Sequence, residues 1–418
     1  MRLTPAAAGL VLALGLPVAP ASAVDAYPCA GQEPDAERVA TTTPSAALEL
    51  LDVERATELL AARGIAPGQG VRVAVVDSGV SAPSPMAPLT VADEVSFGVG
   101  GPVIFGQGTN VAGLVAGGAR EDGRPTGVAP AATIVDLRVY AAPLDSGALD
   151  VPTANVTAAV RWLVENAEAD GIGVVVVGFD VEGDAALERA VRDLSREDVV
   201  IVAATGDRPV DGQPGFEDYG GTPAPGEDVS GEVLPAGYEG VLGVTSTAGG
   251  VSAVDASSSV LLSRDIDVAV PTYGAVTLAP NGATCAIDPI GSAPAAGIAA
   301  GVVALLRSAY PDDNARQIIA RLTASASGSL AAPTTATGFG VLQPVEALTQ
   351  ELAPDEAGTV DDMPRERQEP VRVTAPEPEP DPLAGALEDA RWWGLVGGGA
   401  LVVALLARPL LTSRRPTG

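Results

Sequence analysis

Val71-Arg72-Val73-Ala74-Val75-Val76-Asp77-Ser78-Gly79-Val80 decides the fold. A run of β-branched residues with almost no alternation of polarity reads as a strand buried on both faces, the habit of a parallel sheet covered by helices. The Asp-Ser-Gly that closes it puts a carboxylate at the carboxyl edge of such a sheet, where α/β proteins build their sites. Downstream, Val156, Val160, Leu163, Val164 and Ala167 fall on one helical face, and Val174 to Val177 is again strand-like. Asp184 is placed to cap a helix in which Leu187, Val191 and Leu194 line up, and residues 199–204 follow as another strand. Strands alternating with helices at this spacing predict an α/β fold, a parallel sheet flanked by helices on both faces.

The composition agrees with a folded chain and excludes some partners. Of 418 residues, 47% are apolar and Gly is abundant while aromatics are few, which suits an Ala/Val/Gly core. The formal charge is -29, every basic residue is Arg, and His is absent. A chain this acidic is repelled by phosphate backbones, so nucleic acid is not expected as a partner.

The two ends read as targeting and anchoring segments. Arg2, the apolar residues 6–18 and the triplet Ala21-Ser22-Ala23 predict a secretory signal peptide over residues 1–23. An arm over residues 24–70 follows, with a helix expected over residues 47–62. The core domain is expected over residues 71–350. Residues 351–390, rich in Pro, Glu and Asp and including Glu377-Pro378-Glu379-Pro380, predict an acidic linker without a core of its own. Residues 391–411 predict one transmembrane helix, with Trp392 and Trp393 at its start and Arg408, Arg414 and Arg415 near its end. Those arginines predict a cytoplasmic tail over residues 412–418 and an extracytoplasmic globular part, a single-pass protein of the cell membrane. In that oxidising setting the two cysteines, Cys29 and Cys285, predict one disulfide.

Three further segments join Asp77-Ser78-Gly79: Gly106-Gln107-Gly108-Thr109-Asn110-Val111-Ala112-Gly113, Gly127-Val128-Ala129-Pro130 and Gly291-Ser292-Ala293-Pro294-Ala295-Ala296-Gly297. In order and spacing they resemble the subtilisin-type serine peptidases, whose motifs are D-[ST]-G, H-G-T-x-V-A-G, G-V-A-P and G-T-S-x-A-x-P. The resemblance runs from about Val71 to Leu348 and implies a subtilisin-like fold. With the signal peptide, the Cys-bearing arm, the closing Gly338-Phe339-Gly340-Val341-Leu342-Gln343-Pro344-Val345, the linker and the C-terminal helix, the chain looks like the mycosins of type VII secretion.

Carried over position by position, the resemblance departs from the family at the chemistry. Asp77 matches the triad aspartate, Gln107 stands where the histidine belongs, and Ala293 stands where the serine nucleophile belongs. Asp207, in Val202-Ala203-Ala204-Thr205-Gly206-Asp207, replaces the amide that supplies the oxyanion hole. A carboxamide has no usable basicity near neutral pH, and a methyl group cannot form an acyl-enzyme. Loss of a triad costs about 10⁶-fold in rate.

These substitutions lead to the expectation that the chain is not an enzyme but a pseudoprotease, a membrane-anchored scaffold or regulator among type VII secretion membrane components. Two alternatives stand beside it: a module that binds a peptide in the old cleft, and a residual serine-type endopeptidase in which Ser292 attacks and Asp77 acts as a weak base at low pH. No cofactor and no metal are expected, since no calcium-loop spacing is present.

Overall fold

The computed structural model describes residue 29 and residues 34–81, 84–142, 149–249, 256–288, 290–360 and 384–412. The expected signal peptide, most of the acidic linker, and Arg414 and Arg415 lie outside the described residues.

The described residues form nine strands: β1 (Arg72–Asp77), β2 (Val91–Ser96), β3 (Thr133–Arg138), β4 (Ile172–Val177), β5 (Val200–Ala204), β6 (Val241–Thr247), β7 (Val268–Pro271), β8 (Val276–Leu278) and β9 (Thr284–Ala286). The helices are α1 (Ala46–Leu50), α2 (Val53–Ala62), α3 (Gln107–Ala116), α4 (Thr153–Asp170), α5 (Ala185–Leu194), α6 (Phe216–Tyr219), α7 (Ser292–Ala309), α8 (Ala315–Ser325), α9 (Pro344–Thr349) and α10 (Ala384–Thr412).

Seven strands make one sheet in the order β2-β3-β1-β4-β5-β6-β7, and every neighbouring pair is parallel. The apolar run of β1 has the two-sided burial expected of it. Val73 and Val75 join the core under α3 and α7, while Ala74 and Val76 join the core under α4 and α5. Asp184 caps α5 as its position predicted, its carboxylate accepting from the backbone N–H groups of Ala186 and Leu187 at 2.8 and 2.7 Å. At the far edge, residues 338–342 run along β7: Phe339 N–H donates to Asp267 O, Ala269 N–H to Gly340 O, and Leu342 N–H to Ala269 O. An otherwise open sheet edge is thereby covered.

One expectation is corrected. The helix expected over residues 47–62 is two helices, broken at Asp52, whose φ is 50°. Leu51 and Val53 are both buried, although a continuous helix would aim residues two apart in nearly opposite directions. A left-handed Asp52 lets both reach the core, and aspartate tolerates that conformation better than most residues.

The arm is fastened to the hairpin β8–β9. Thr41 donates through its hydroxyl to Thr284 O at 3.0 Å, Arg38 Nε donates to Asn281 O at 2.6 Å, and Cys29 is bonded to Cys285. The expected disulfide is present, with a Cα–Cα distance of 4.9 Å.

Among the described residues two helices are long and apolar enough to cross a membrane. One is α7, which is enclosed in the core of the first compact unit, residues 1–361. The other lies in the second unit, where Ala390–Arg408 within α10 is a candidate span. Trp392, Trp393, Leu401 and Leu406 on it are each more than 60% exposed. At about 1.5 Å per residue its 29 residues exceed the roughly 30 Å of a hydrocarbon core.

Candidate functional site

The order of the sheet selects the site. Strand β1 has β3 on one side and β4 on the other, so the chain changes direction across the sheet between β1 and β4. In open parallel sheets the crevice at the carboxyl ends of such a pair is where ligands bind. Asp77 ends β1, Gly178 follows β4, Asp207 follows β5, and the amino termini of α3 and α7 carry Gln107 and Ser292-Ala293 to the same place. Three of the four motifs, distant in sequence, converge here, whereas Gly127-Val128-Ala129-Pro130 packs against the carboxyl-terminal turn of α3.

Asp77 is completely buried. One carboxylate oxygen accepts from Ser78 N–H at 2.7 Å and from the Tyr140 hydroxyl at 2.9 Å. Its other oxygen is 3.5 Å from Gln107 Nε2, a long contact. Burial pushes Asp77 up to about 6, and the bonds from Ser78, Tyr140 and Gln107 offset only part of that. Gln107 makes a shorter bond elsewhere, donating to Gly178 O at 2.8 Å. It therefore ties α3 to the end of β4 as well as to Asp77.

A glycine is required at 178. A Cβ there would lie 2.8 Å from Asp77 Oδ2, 3.3 Å from Val111 Cγ2 and 3.5 Å from Ala293 Cβ. Asp77 and Ala293 thus flank a single point.

Asp207 sits at the mouth of α7. Its carboxylate accepts from Ser292 N–H at 2.7 Å and also bonds the Ser292 side chain. A carboxylate is favoured there by the helix dipole and by the unpaired N–H groups of the first turn. Desolvation raises Asp207 to about 6, with the nearby Asp180 adding to the rise and the Ser292 bonds opposing it. Asp207 keeps surface open to the cleft, and water there screens its charge.

The cleft is a hollow of about 460 Å³ whose walls include Phe105, Gln107, Phe179, Asp180, Asp207, Tyr219, Ser292 and Ala293. Arg208, also on the wall, is neutralised by a buried ion pair with Glu227. A larger hollow of about 620 Å³ opens at the amino ends of the strands beside Arg307 and holds none of the motif residues. Motif geometry therefore places the site in the smaller one. Among the described residues no three His, Cys, Asp or Glu side chains are grouped to hold a metal ion.

Sequence reasoning did not reach Tyr140, whose ring lies against Phe105 and Phe179 at centroid distances of 6.2 and 5.4 Å. Nothing in its local pattern marks it, because its partner Asp77 is 63 residues away. Asp180 and the carbonyl of Gly178 were missed for the same reason.

Over residues 68–343 the sequence matches the family described as the subtilase family. The chain belongs to the subtilase family. Mycosin-3 of Mycobacterium tuberculosis is 29% identical to this subtilase over 385 residues, covering 83% of this chain and 80% of that protein. The solved MycP3 protease from the type VII (ESX-3) secretion system is 26% identical, with a TM-score of 0.59, and covers 78% of this chain and 92% of that one. The solved MycP1, a serine protease described as an essential component of the type VII (ESX-1) secretion system, is 25% identical with a TM-score of 0.55, covering 78% and 92% of the two chains. The subtilisin-like fold and the resemblance to mycosins, expected from the motifs, are borne out.

These relatives correct another expectation. Reading the chain as a pseudoprotease, not an enzyme, is overturned by its membership in a peptidase family whose matched structures are described as proteases. The substitutions at 107 and 293 do not by themselves define the function of this subtilase. They define which groups are at hand: the Ser292 hydroxyl, the carboxylates of Asp77 and Asp207, and the carboxamide of Gln107.

Proposed function

We propose that this subtilase is a membrane-anchored member of a type VII secretion complex, held by residues 390–408 with its globular unit on the extracytoplasmic side, where it serves as a scaffold or regulator. The observation that carries this reading is the alignment with Mycosin-3, which runs through 83% of this chain and so extends beyond the subtilase domain itself. The descriptions of MycP3 and MycP1 as parts of type VII systems support it. So does the arm, which is locked to the hairpin ahead of the cleft by the Cys29–Cys285 bond and gives the globular unit a fixed outer surface. The cleft, at the carboxyl ends of the central strands, is a hollow of about 460 Å³ with room for part of a peptide.

The test is purification of the tagged full chain from membranes in mild detergent. Recovery in a high-mass assembly with other membrane proteins of the secretion system is expected. Recovery of the chain by itself, from cells that express the whole system, overturns the proposal.

A second reading is favoured by the contact between Ser292 and Asp207. It is a serine-type peptidase in which the Ser292 hydroxyl attacks the peptide carbonyl and Asp207 takes the proton, a weak base whose raised affinity for protons improves the match. Cleavage of an unfolded protein, and fluorophosphonate labelling lost in Ser292→Ala, would establish it. Failure of both would leave the cleft to binding.

A further inference from the structure

The walls of the cleft are unbalanced in charge. Asp180 stands three residues past Val177 of β4 and Asp207 four residues past Ala203 of β5, and Val177 and Ala203 are partners in register, so both carboxylates line one hollow at the carboxyl ends of adjacent strands. Both residues are exposed, and the charge of Asp180 is felt at Asp207. Neither takes part in an ion pair among the described residues. Arg208, the cation on the wall, is enclosed and gives its guanidinium to Glu227, Ser257 O and Tyr219 O. The segment from Arg208 to Tyr219 adds Asp211, Glu217 and Asp218 and no further basic residue.

Hydrogen-bonding capacity is skewed the same way. Gln107 spends its amide N–H groups on Gly178 O at 2.8 Å and, at a longer 3.5 Å, on Asp77, which leaves its side-chain oxygen as an acceptor. Tyr219 donates its hydroxyl proton to Glu232 at 2.7 Å, and Ser292 turns both its N–H and its side chain to Asp207. The amide of Gln213 still offers a donor, its oxygen accepting from Val210 N–H at 3.0 Å. The side chains of the wall thus present mainly acceptors and negative charge, beside part-exposed apolar surface at Phe105 and Leu149. An ammonium or guanidinium group, which carries donors and no acceptor, complements such a surface, whereas a carboxylate is repelled by it.

We propose that the cleft takes a peptide segment bearing an arginine or lysine side chain, its aliphatic stem laid along Phe105 and Leu149 and its charge set between Asp180 and Asp207. The inference rests on the cleft holding a peptide, and adds what that peptide carries. Long basic side chains cover apolar surface with their stems while the head stays among polar groups. Asp207, raised by desolvation to about 6, is largely ionised at neutral pH, and an arriving cation relieves its repulsion with Asp180. What sets these two apart from the other carboxylates of an acidic chain is the hollow of about 460 Å³ that they share, because a recess lined by one sign of charge and walled by apolar groups focuses the field.

The experiment follows the fluorescence anisotropy of labelled peptides Ala-Val-Xaa-Leu-Ala with blocked ends, Xaa being Arg, Lys, Gln or Glu, against the full chain in uncharged detergent at neutral pH. The Arg and Lys peptides should bind about tenfold more tightly than the Gln peptide, the worth of two partly exposed ion pairs together, and the Glu peptide should bind most weakly. Asp180→Asn and Asp207→Asn should each weaken the Arg peptide about threefold and leave the Gln peptide unchanged, while Glu54→Gln, on α2 and not on the cleft wall, should change neither. Asparagine at 207 still accepts from Ser292 N–H, and Asp180 is exposed, so both variants are expected to fold. Equal affinity for the Arg and Gln peptides, or an Arg peptide that both cleft variants bind as tightly as the parent, overturns the proposal and leaves the peptide site standing. An equal loss in Glu54→Gln assigns the attraction to the overall charge of the chain and overturns it too. Binding of none of the peptides overturns the peptide site itself, and the proposal with it.

Discussion

Removing the Cys29–Cys285 bond by the double substitution Cys29→Ala/Cys285→Ala is expected to cost most of what a long-loop disulfide provides. The bond joins residues 256 apart in sequence. The loop-closure relation for a ring of that size yields about 5.5 kcal/mol at 25 °C, acting on the unfolded chain. Little is lost from the folded side, because Cys29 N–H still donates to Ala286 O at 3.0 Å and Thr41 N–H to the Thr284 hydroxyl at 2.9 Å. With strain and residual unfolded structure included, measured values run from about 2 to 5 kcal/mol, a large part of a domain stability of roughly 5–15 kcal/mol. Urea melts of parent and variant, in detergent and under non-reducing conditions, should show the midpoint falling with little change of slope. Calorimetry should show the melting temperature falling by roughly 3–7 °C. Replacing both cysteines avoids the confusion of a buried unpaired thiol. Midpoints within 1 °C of each other, or a parent that melts identically with and without reductant, would refute the loop-entropy reasoning.

Other perturbations test the cleft and its frame. Restoring the family's residues with Gln107→His/Ala293→Ser, in a chain that keeps Asp77 beside position 107, is expected to raise peptide hydrolysis by several orders of magnitude, towards the roughly 10⁶-fold worth of a triad; an unchanged rate in a folded variant would show that more than these two side chains has diverged. Gly113→Ala should cost about 1–3 kcal/mol in a urea melt, because its Cβ would come 2.4 Å from Thr277 Oγ1 and 2.9 Å from Leu278 N, and a neutral result would mean that α3 can slide away from β8. The pH dependence of stability has a definite sign. Asp77 and Asp267 are each raised by burial from 3.8 to about 6, so between those values the folded chain holds protons that the unfolded chain has released. Their contribution is complete below about pH 4 and is lost as pH rises through about 6, so thermal melts should be higher at pH 5 than at pH 8, and the reverse order would contradict the burial of these carboxyls.

The family relation also bears on how the substituted positions are read. Inactivity argued from Gln107 and Ala293 treated the triad as the whole of the chemistry. The cleft brings in Asp207 and Ser292 as a bonded pair at the amino end of α7, a juxtaposition that depends on residues 85 apart in sequence. Which reaction, if any, that pair supports is decided by the labelling and cleavage tests above.

Local sequence was sufficient wherever the deciding physics is local. The two-sided apolar run of β1, the Asp184 cap, the apolar stretch within α10 and the motif glycines each announce themselves within a few residues, because hydrophobic period, capping and steric allowance act over that range. The parallel α/β architecture followed from the alternation of such elements. Tertiary structure alone decided what depends on which distant groups come together: the break at Asp52 that lets Leu51 and Val53 both turn inward, the Tyr140 hydroxyl on Asp77, the docking of Asp207 on Ser292, and the meeting of Asp180 and Asp207 in one cleft. Desolvation and charge–charge repulsion are properties of a packed neighbourhood, and no window of sequence contains that neighbourhood.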